Sequence, residues 1–309
     1  MSLTGVVDSH IHFWDPARLH YAWLKTEPRL NRAFLPADIP RGRVPLEALV
    51  FVEADRRASE ALAEVEWVVG LSSPSGRVAG VVAAALHRQS AEADLDALQR
   101  RGEVKGIRRL LQDVRPGFST DPAFLQALSS LEGRELVFDL CVRGHQLAEA
   151  TALVRQCPGV TFVLDHLGKP AVQHRPDRIW LTDIARLAAL PNVRCKLSGL
   201  SSEVRDAVGD APVGDRFAPY LDHALQTFGP ARCMFGSDWP VASLTISYEA
   251  WFDRVCAALA RFPLDDLEQV VRRTAIATYR LGQTRYTQVG SAKVPHRADP
   301  DGGVADAWR

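Results

Sequence analysis

The residues in this chain that could do chemistry begin with a pair of histidines, in Val6-Val7-Asp8-Ser9-His10-Ile11-His12-Phe13-Trp14-Asp15. A β-strand has a side-chain period of two, so His10 and His12 share one face and Ile11 takes the other. Two convergent imidazoles can hold a divalent metal or polarise a carbonyl. Alone, such a pair could equally be two core histidines bonded to backbone carbonyls. Its company argues otherwise: later apolar runs end in Glu53, His87, Arg108-Arg109, Asp139 or Cys141, His166, Lys196 with Ser198, and Asp238. Polar groups at the ends of apolar strands are costly to bury without a partner or a task. A carboxylate such as Asp238 among imidazoles can take a proton from water. Arg108 and Lys196 can donate to hydroxyl or carboxylate oxygens of a substrate.

The elements that must position this ring repeat regularly. Near-continuous apolar runs, at residues 49–53, 78–86, 104–111, 135–142, 160–166, 193–199 and 233–238, follow the first strand. Helical periodicity lies between or after them, at 59–71, 91–101, from 121 onward, 146–156, 180–190, 217–228 and 248–261. Buried parallel strands alternating with helices predict an α/β fold, a (β/α)8 TIM barrel, whose chemistry sits at the carboxyl ends of the strands. By strand parity Arg108 rather than Arg109 faces inward, while Asp165 faces away from His166, towards the helix layer. Residues 13–45 form a long aromatic connection, read as a lid or binding loop. Its Trp14 and Trp23, with Trp239, are expected to wall the substrate. A last helix over 264–281 completes a single domain at 1–282, and 283–309 reads as a loosely packed or disordered tail.

Bulk properties exclude several function classes. The 309 residues carry 37 basic and 37 acidic side chains, so no net charge favours nucleic acid or an anionic membrane. No apolar run reaches the ~18 residues of a spanning helix, and the first residues lack a targeting core. Five scattered cysteines without a Cys-x-x-Cys predict reduced thiols and a cytoplasmic protein. Ser237 lies in Phe-Gly-Ser-Asp-Trp, not in a Gly-x-Ser-x-Gly elbow, so no serine nucleophile competes for the role.

Four blocks together resemble a known family: His10-Ile11-His12, Asp165-His166-Leu167-Gly168-Lys169-Pro170, Cys195-Lys196-Leu197-Ser198-Gly199 and Gly236-Ser237-Asp238-Trp239-Pro240. Over roughly residues 6–281 the chain is similar to the amidohydrolase superfamily, in its branch of sugar-acid lactonases. The resemblance implies hydrolysis of a 1,4- or 1,5-lactone of a sugar acid. Asp238 would be the general base, and His10, His12 and His166, or a metal they help hold, would polarise the carbonyl. Arg108, Lys196, Glu53, Trp14 and Trp239 would contact the substrate. The chain departs from the superfamily in lacking a histidine on the fifth strand and in placing Lys105 too early on the fourth for a binuclear centre. One divalent ion, zinc if any, on His10, His12 and Asp238 with Glu53 as a fourth ligand is one expectation. Metal-independent activity that survives chelation is the other, and the reading leans to it. Alternative activities are a metal-dependent non-oxidative decarboxylase and a non-catalytic sugar-acid-binding barrel.

Overall fold

A computed structural model describes residues 3–71, 77–86, 91–172, 175–204 and 216–282. His87 and the tail at 283–309 lie outside the described residues. Eight strands follow one another in sequence order, each parallel to the next: β1 (Val6–Ile11), β2 (Leu46–Val52), β3 (Val78–Ala84), β4 (Val104–Leu110), β5 (Val137–Cys141), β6 (Phe162–Leu164), β7 (Val193–Leu197) and β8 (Cys233–Phe235). The sheet closes between β1 and the turn after β8, where Asp238 N–H donates to His10 O and His12 N–H to Trp239 O, both at 2.8 Å. Below them the Ser9 hydroxyl donates to Phe235 O at 2.6 Å. The result is the (β/α)8 barrel expected from the alternation.

Helices α1 (Ala61–Gly70), α2 (Ala91–Gln99), α3 (Pro122–Ser129), α4 (Leu147–Gln156), α5 (Arg178–Ala188) and α6 (Ala218–Phe228) connect β2 through β8, and α7 (Tyr248–Leu259) follows β8. Their starts are encoded locally. Asp121, before Pro122, accepts Ala123 N–H, Asp177 accepts Trp180 N–H, and Ser247 accepts Ala250 N–H. The connection from β1 to β2 instead holds only single helical turns, at Ala22–Lys25 and Pro36–Asp38. It is pinned at several points: Trp14 pairs with Phe34 through two backbone hydrogen bonds, of 3.2 and 2.9 Å. The indole N–H of Trp14 donates to Leu30 O (3.0 Å), and that of Trp23 to Ala54 O (2.9 Å).

The core has two layers. One lies between strands and helices; the other fills the barrel with Val7, Val50, Val82, Val137, Val163 and Met234. The terminal segment forms α8 (Leu264–Glu268), a widened turn at Gln269–Arg273, and α9 (Thr274–Tyr279), ending at Arg280 with φ 48°. It plugs the barrel with Ala275 and Tyr279, both fully buried. No helix among the described residues is long and apolar enough to cross a membrane.

Candidate active site

His10 and His12 converge as their spacing predicts, with Nε2 atoms 3.2 Å apart. Asp238 Oδ1 lies 3.8 Å from His10 Nε2, 3.5 Å from His12 Nε2 and 3.9 Å from His166 Nε2. The backbone is bent to achieve this: Asp55, His166, Lys169 and Asp238 all have positive φ, between 45° and 57°. Left-handed non-glycine residues gather where a site over-determines them. Glycines make room beside them. A Cβ on Gly199 (φ +62°) would fall 2.2 Å from His166 Nδ1, and one on Gly236 would fall 2.8 Å from the His10 Cβ.

Each imidazole is oriented by its second nitrogen. His12 Nδ1–H donates to Val52 O at 2.7 Å, which turns its Nε2 towards Asp238. His166 Nδ1 meets the Ser198 hydroxyl at 2.9 Å. His10 Nδ1 lies between Asp165 Oδ1 (3.2 Å) and Lys196 Nζ (3.1 Å). Burial holds His10 well below the usual histidine range and lowers His166 to about 4, so both are neutral at pH 7. Burial alone would raise the Asp238 carboxyl, but His166, His12 and His10 together hold it well below the usual carboxylate range. A permanent carboxylate thus faces three imidazoles. Among the described residues, His10, His12 and Asp238 bring their ligand atoms within 4.8 Å of one another, and so could hold a metal.

The structure moves several expected residues. Glu53 lies behind the site: Oε1 accepts Arg108 Nε–H (2.8 Å), and Oε2 accepts Asp55 N–H (2.9 Å). It is outside the ligand group and does not line the cavity. Lys196, fully buried, lies beneath His10 between Asp139 and Asp165, so it too is removed from the cavity. Trp239 packs edge-on against Phe13 and Phe34 instead of lining the cavity. Asp165 reverses its expectation, pointing inward to His10, Lys196 and Arg108. β6 ends at Leu164, and left-handed turns at His166 and Leu167 break the alternation that parity assumes. Arg108 faces in, while Arg109 faces out, stacked 4.6 Å from the Phe118 ring centroid and donating to Leu86 O.

Above the site opens a cavity of about 250 Å³, lined by His12, His166, Asp238, Arg108, Trp14 and Trp23. Its walls also include Asp55, Gln112, Lys169, Ser202 and Glu203, from loops that carry no periodic signal in the sequence. Lys169 Nζ donates to Gln112 Oε1 at 2.5 Å, so those two form one polar wall.

A (β/α)8 barrel whose first strand ends in His-x-His and whose eighth leads into an aspartate is the architecture of an amidohydrolase. Residues 7–281 match the amidohydrolase family, and the chain belongs to it. It is therefore a hydrolase of that superfamily. An L-fucono-1,5-lactonase of Burkholderia multivorans is 35% identical over 254 residues, 79% of this chain and 84% of that protein. The L-fucono-1,5-lactonase of Burkholderia ambifaria is 31% identical over 265 residues, 82% of this chain and 89% of that protein. A crystal structure of a Burkholderia multivorans amidohydrolase with bound zinc superposes with a TM-score of 0.80 at 31% identity, covering 90% of this chain and all of that one.

Proposed function

We propose that this protein hydrolyses the lactone of a sugar acid to the open aldonic acid. The observation that carries the reading is the convergence of one ionised carboxylate, Asp238, with His12 and the neutral imidazoles of His10 and His166 under a cavity of small-molecule size. Lactone opening needs a nucleophilic water, a partner for the carbonyl oxygen and a proton for the leaving ring oxygen. Asp238 accepts one proton from water as the new C–O bond forms. It returns that proton to the ring oxygen as the ester bond breaks, and the product leaves as a hydroxy acid. His166, neutral and held by Ser198, offers its Nε2 side to the oxyanion. Trp14 and Trp23 supply an apolar wall for the carbons of the sugar ring, and Asp55, Ser202 and Glu203 offer acceptors for its hydroxyls. Two L-fucono-1,5-lactonases among the relatives support this substrate class.

The donor set fits one divalent ion. Nε2 of His12 faces Nε2 of His10 at 3.2 Å, close to the spacing of two nitrogen ligands each about 2.1 Å from one zinc ion. His10, His12 and Asp238 would hold it. Bound there, the ion would acidify water beside a carboxylate that is otherwise too weakly basic for the task. This geometry shifts the balance towards metal dependence.

The deciding experiment is an acid-release assay over a panel of aldono-1,4- and 1,5-lactones, before and after dialysis against a strong chelator. Turnover of a sugar lactone, abolished by chelation and restored by Zn²⁺ or Mn²⁺, is the expected result. Asp238→Asn should lower kcat by about 10²–10⁴-fold with the fold intact. Carbon dioxide released from an aromatic carboxylate, with no acid from any lactone, would overturn the reading. Turnover that survives chelation would overturn its metal part alone.

A further inference from the structure

The cavity has two walls of opposite character. Asp55, Glu203 and Asp238 line it from the turns after β2, β7 and β8, while Arg108, Gln112 and Lys169 line it from β4 and from the turns after β4 and β6. The two cations differ in what already holds them. Arg108 gives Nε to Glu53 Oε1 at 2.8 Å, Nη1 to Asp165 Oδ2 at 3.3 Å and Nη2 to Glu53 O at 2.5 Å. Two carboxylates thus neutralise it, and each of its nitrogens has a protein partner.

Lys169 is held differently. It reaches over the end of β5 to Gln112, where its ammonium donates to Oε1 at 2.5 Å. Cys141, the last residue of β5, donates its thiol to the same oxygen at 3.7 Å, and burial pushes that thiol up, so it adds no charge. Among the described residues no carboxylate pairs with the Lys169 ammonium. An amide oxygen fixes an ammonium without cancelling its charge. A half-buried ammonium whose partner is neutral pays for lost hydration, and an anion beside it relieves that cost.

This charge stands beside the reacting groups. Lys169 follows His166 by three residues through one left-handed turn, and its backbone N–H donates to His166 O at 2.8 Å. The Lys169 charge adds to burial, the larger cause, in lowering the His166 imidazole. Hydrolysis of a lactone makes an anion where there was none. Water adds to the neutral carbonyl carbon, the ring ester bond breaks, and the new carboxyl, with a pKa of about 4, gives its proton to solvent. That carboxylate forms near Asp238, which repels it.

We propose that Lys169, braced by the neutral Gln112 amide, is the subsite for this carboxylate, so that the cavity prefers a polyhydroxy carboxylate to the uncharged polyol of the same chain. The proposal rests on the lactone reading for the origin of the anion, but its test needs no turnover.

The experiment is titration calorimetry at equal metal content on wild type, Lys169→Met, Lys169→Arg and Gln112→Glu. The probes are D-gluconate, D-galactonate and 6-deoxy-L-galactonate, each beside the alditol of the same chain. Wild type should bind at least one aldonate more tightly than its alditol. Lys169→Met should raise that aldonate's Kd about 10–100-fold, the loss of a hydrogen bond to a charged group, and leave the alditol's within about threefold. Lys169→Arg keeps a cation on the same left-handed backbone and should recover most of the affinity. Gln112→Glu keeps the brace but gives the ammonium a carboxylate, so aldonate binding should weaken as in Lys169→Met. In turnover the lactone is neutral and the transition state is not, so Lys169→Met should lower kcat with little change in KM. Equal losses for aldonate and alditol in Lys169→Met would make Lys169 a hydroxyl contact or a brace, and would overturn the proposal. So would a wild type that binds aldonates no better than alditols, even one that opens lactones. A protein that opens no lactone, yet loses its aldonate preference with Lys169, would keep the anion subsite and lose the hydrolysis.

Discussion

Two adjacent arginines show at the residue scale how much one position along a strand decides. Arg108 commits Nε to Glu53 Oε1 at 2.8 Å and Nη2 to Glu53 O at 2.5 Å, and it lines the cavity. Arg109 lies on the outer face over Phe118. Lysine cannot reproduce the planar fork that Arg108 uses. Arg108→Lys should therefore lower kcat/KM by about ten- to hundredfold, since each hydrogen bond to a charged group contributes ~1.5–3 kcal/mol. Arg109→Lys should cost a little thermal stability and leave kcat/KM unchanged. Steady-state kinetics on the two variants checks this, and the reverse ranking would put the working guanidinium on the wrong face. Parity was enough to separate this pair because β4 stays regular through both residues. The same rule failed one strand pair away, at Asp165, where the backbone leaves the strand before the side chain is placed.

Elements were legible in the sequence where a single period governs them, and illegible where contacts from distant loops do. The eight apolar runs and their helices could be read because burial on both sheet faces demands continuous hydrophobicity. The depth of Lys196 could not, because a lysine ending a strand reads the same whether it meets substrate or a carboxylate beneath the site. Asp55, Lys169 and Glu203 were missed for a related reason: each sits on a turn placed by its neighbours, two of them at left-handed φ. The seam between β2 and α1 carries a further consequence. Glu64 on α1 is fully buried, accepts Ala54 N–H at 3.1 Å, and lies 3.6 Å from Arg56 Nε. Burial, opposed by Arg56, pushes its carboxyl up from 4.5 to about 8. Between those two values the folded protein keeps a proton that the unfolded chain releases, so stability must fall as pH rises through this window. Glu64→Gln retains an acceptor for Ala54 and cannot titrate. Its Tm relative to wild type should therefore improve by about 2–4 °C or more between pH 5 and 8.5, the equivalent of ~1 kcal/mol in a chain of this class. Parallel melting curves across pH test it, and a constant difference would remove Glu64 from the pH dependence of folding.

Over the whole molecule the barrel is a closed wall with two ends of different use, and the terminal segment accounts for the lower one. The widened turn at Gln269–Arg273 and α9 bury Val270, Val271, Ala275 and Tyr279 completely against β1, β8 and the barrel interior. Each large side chain among these contributes roughly 1.5–3 kcal/mol by leaving water, so together they approach the ~5–15 kcal/mol that separates folded from unfolded domains. Tyr279 also supplies the hydroxyl that Asp139 holds, so the same plug reaches up towards His10. A protein ending at residue 263 should accordingly fail to give soluble, cooperatively melting material. If the domain ends at residue 282, as the loss of periodicity beyond it predicts, a protein ending there should keep its Tm to within about 1 °C and its full kcat/KM. Circular-dichroism melts and lactone kinetics on the two truncations separate the cases. Loss of activity in the longer one would extend the working domain past residue 282, and cooperative melting in the shorter one would show that the barrel stands without its plug.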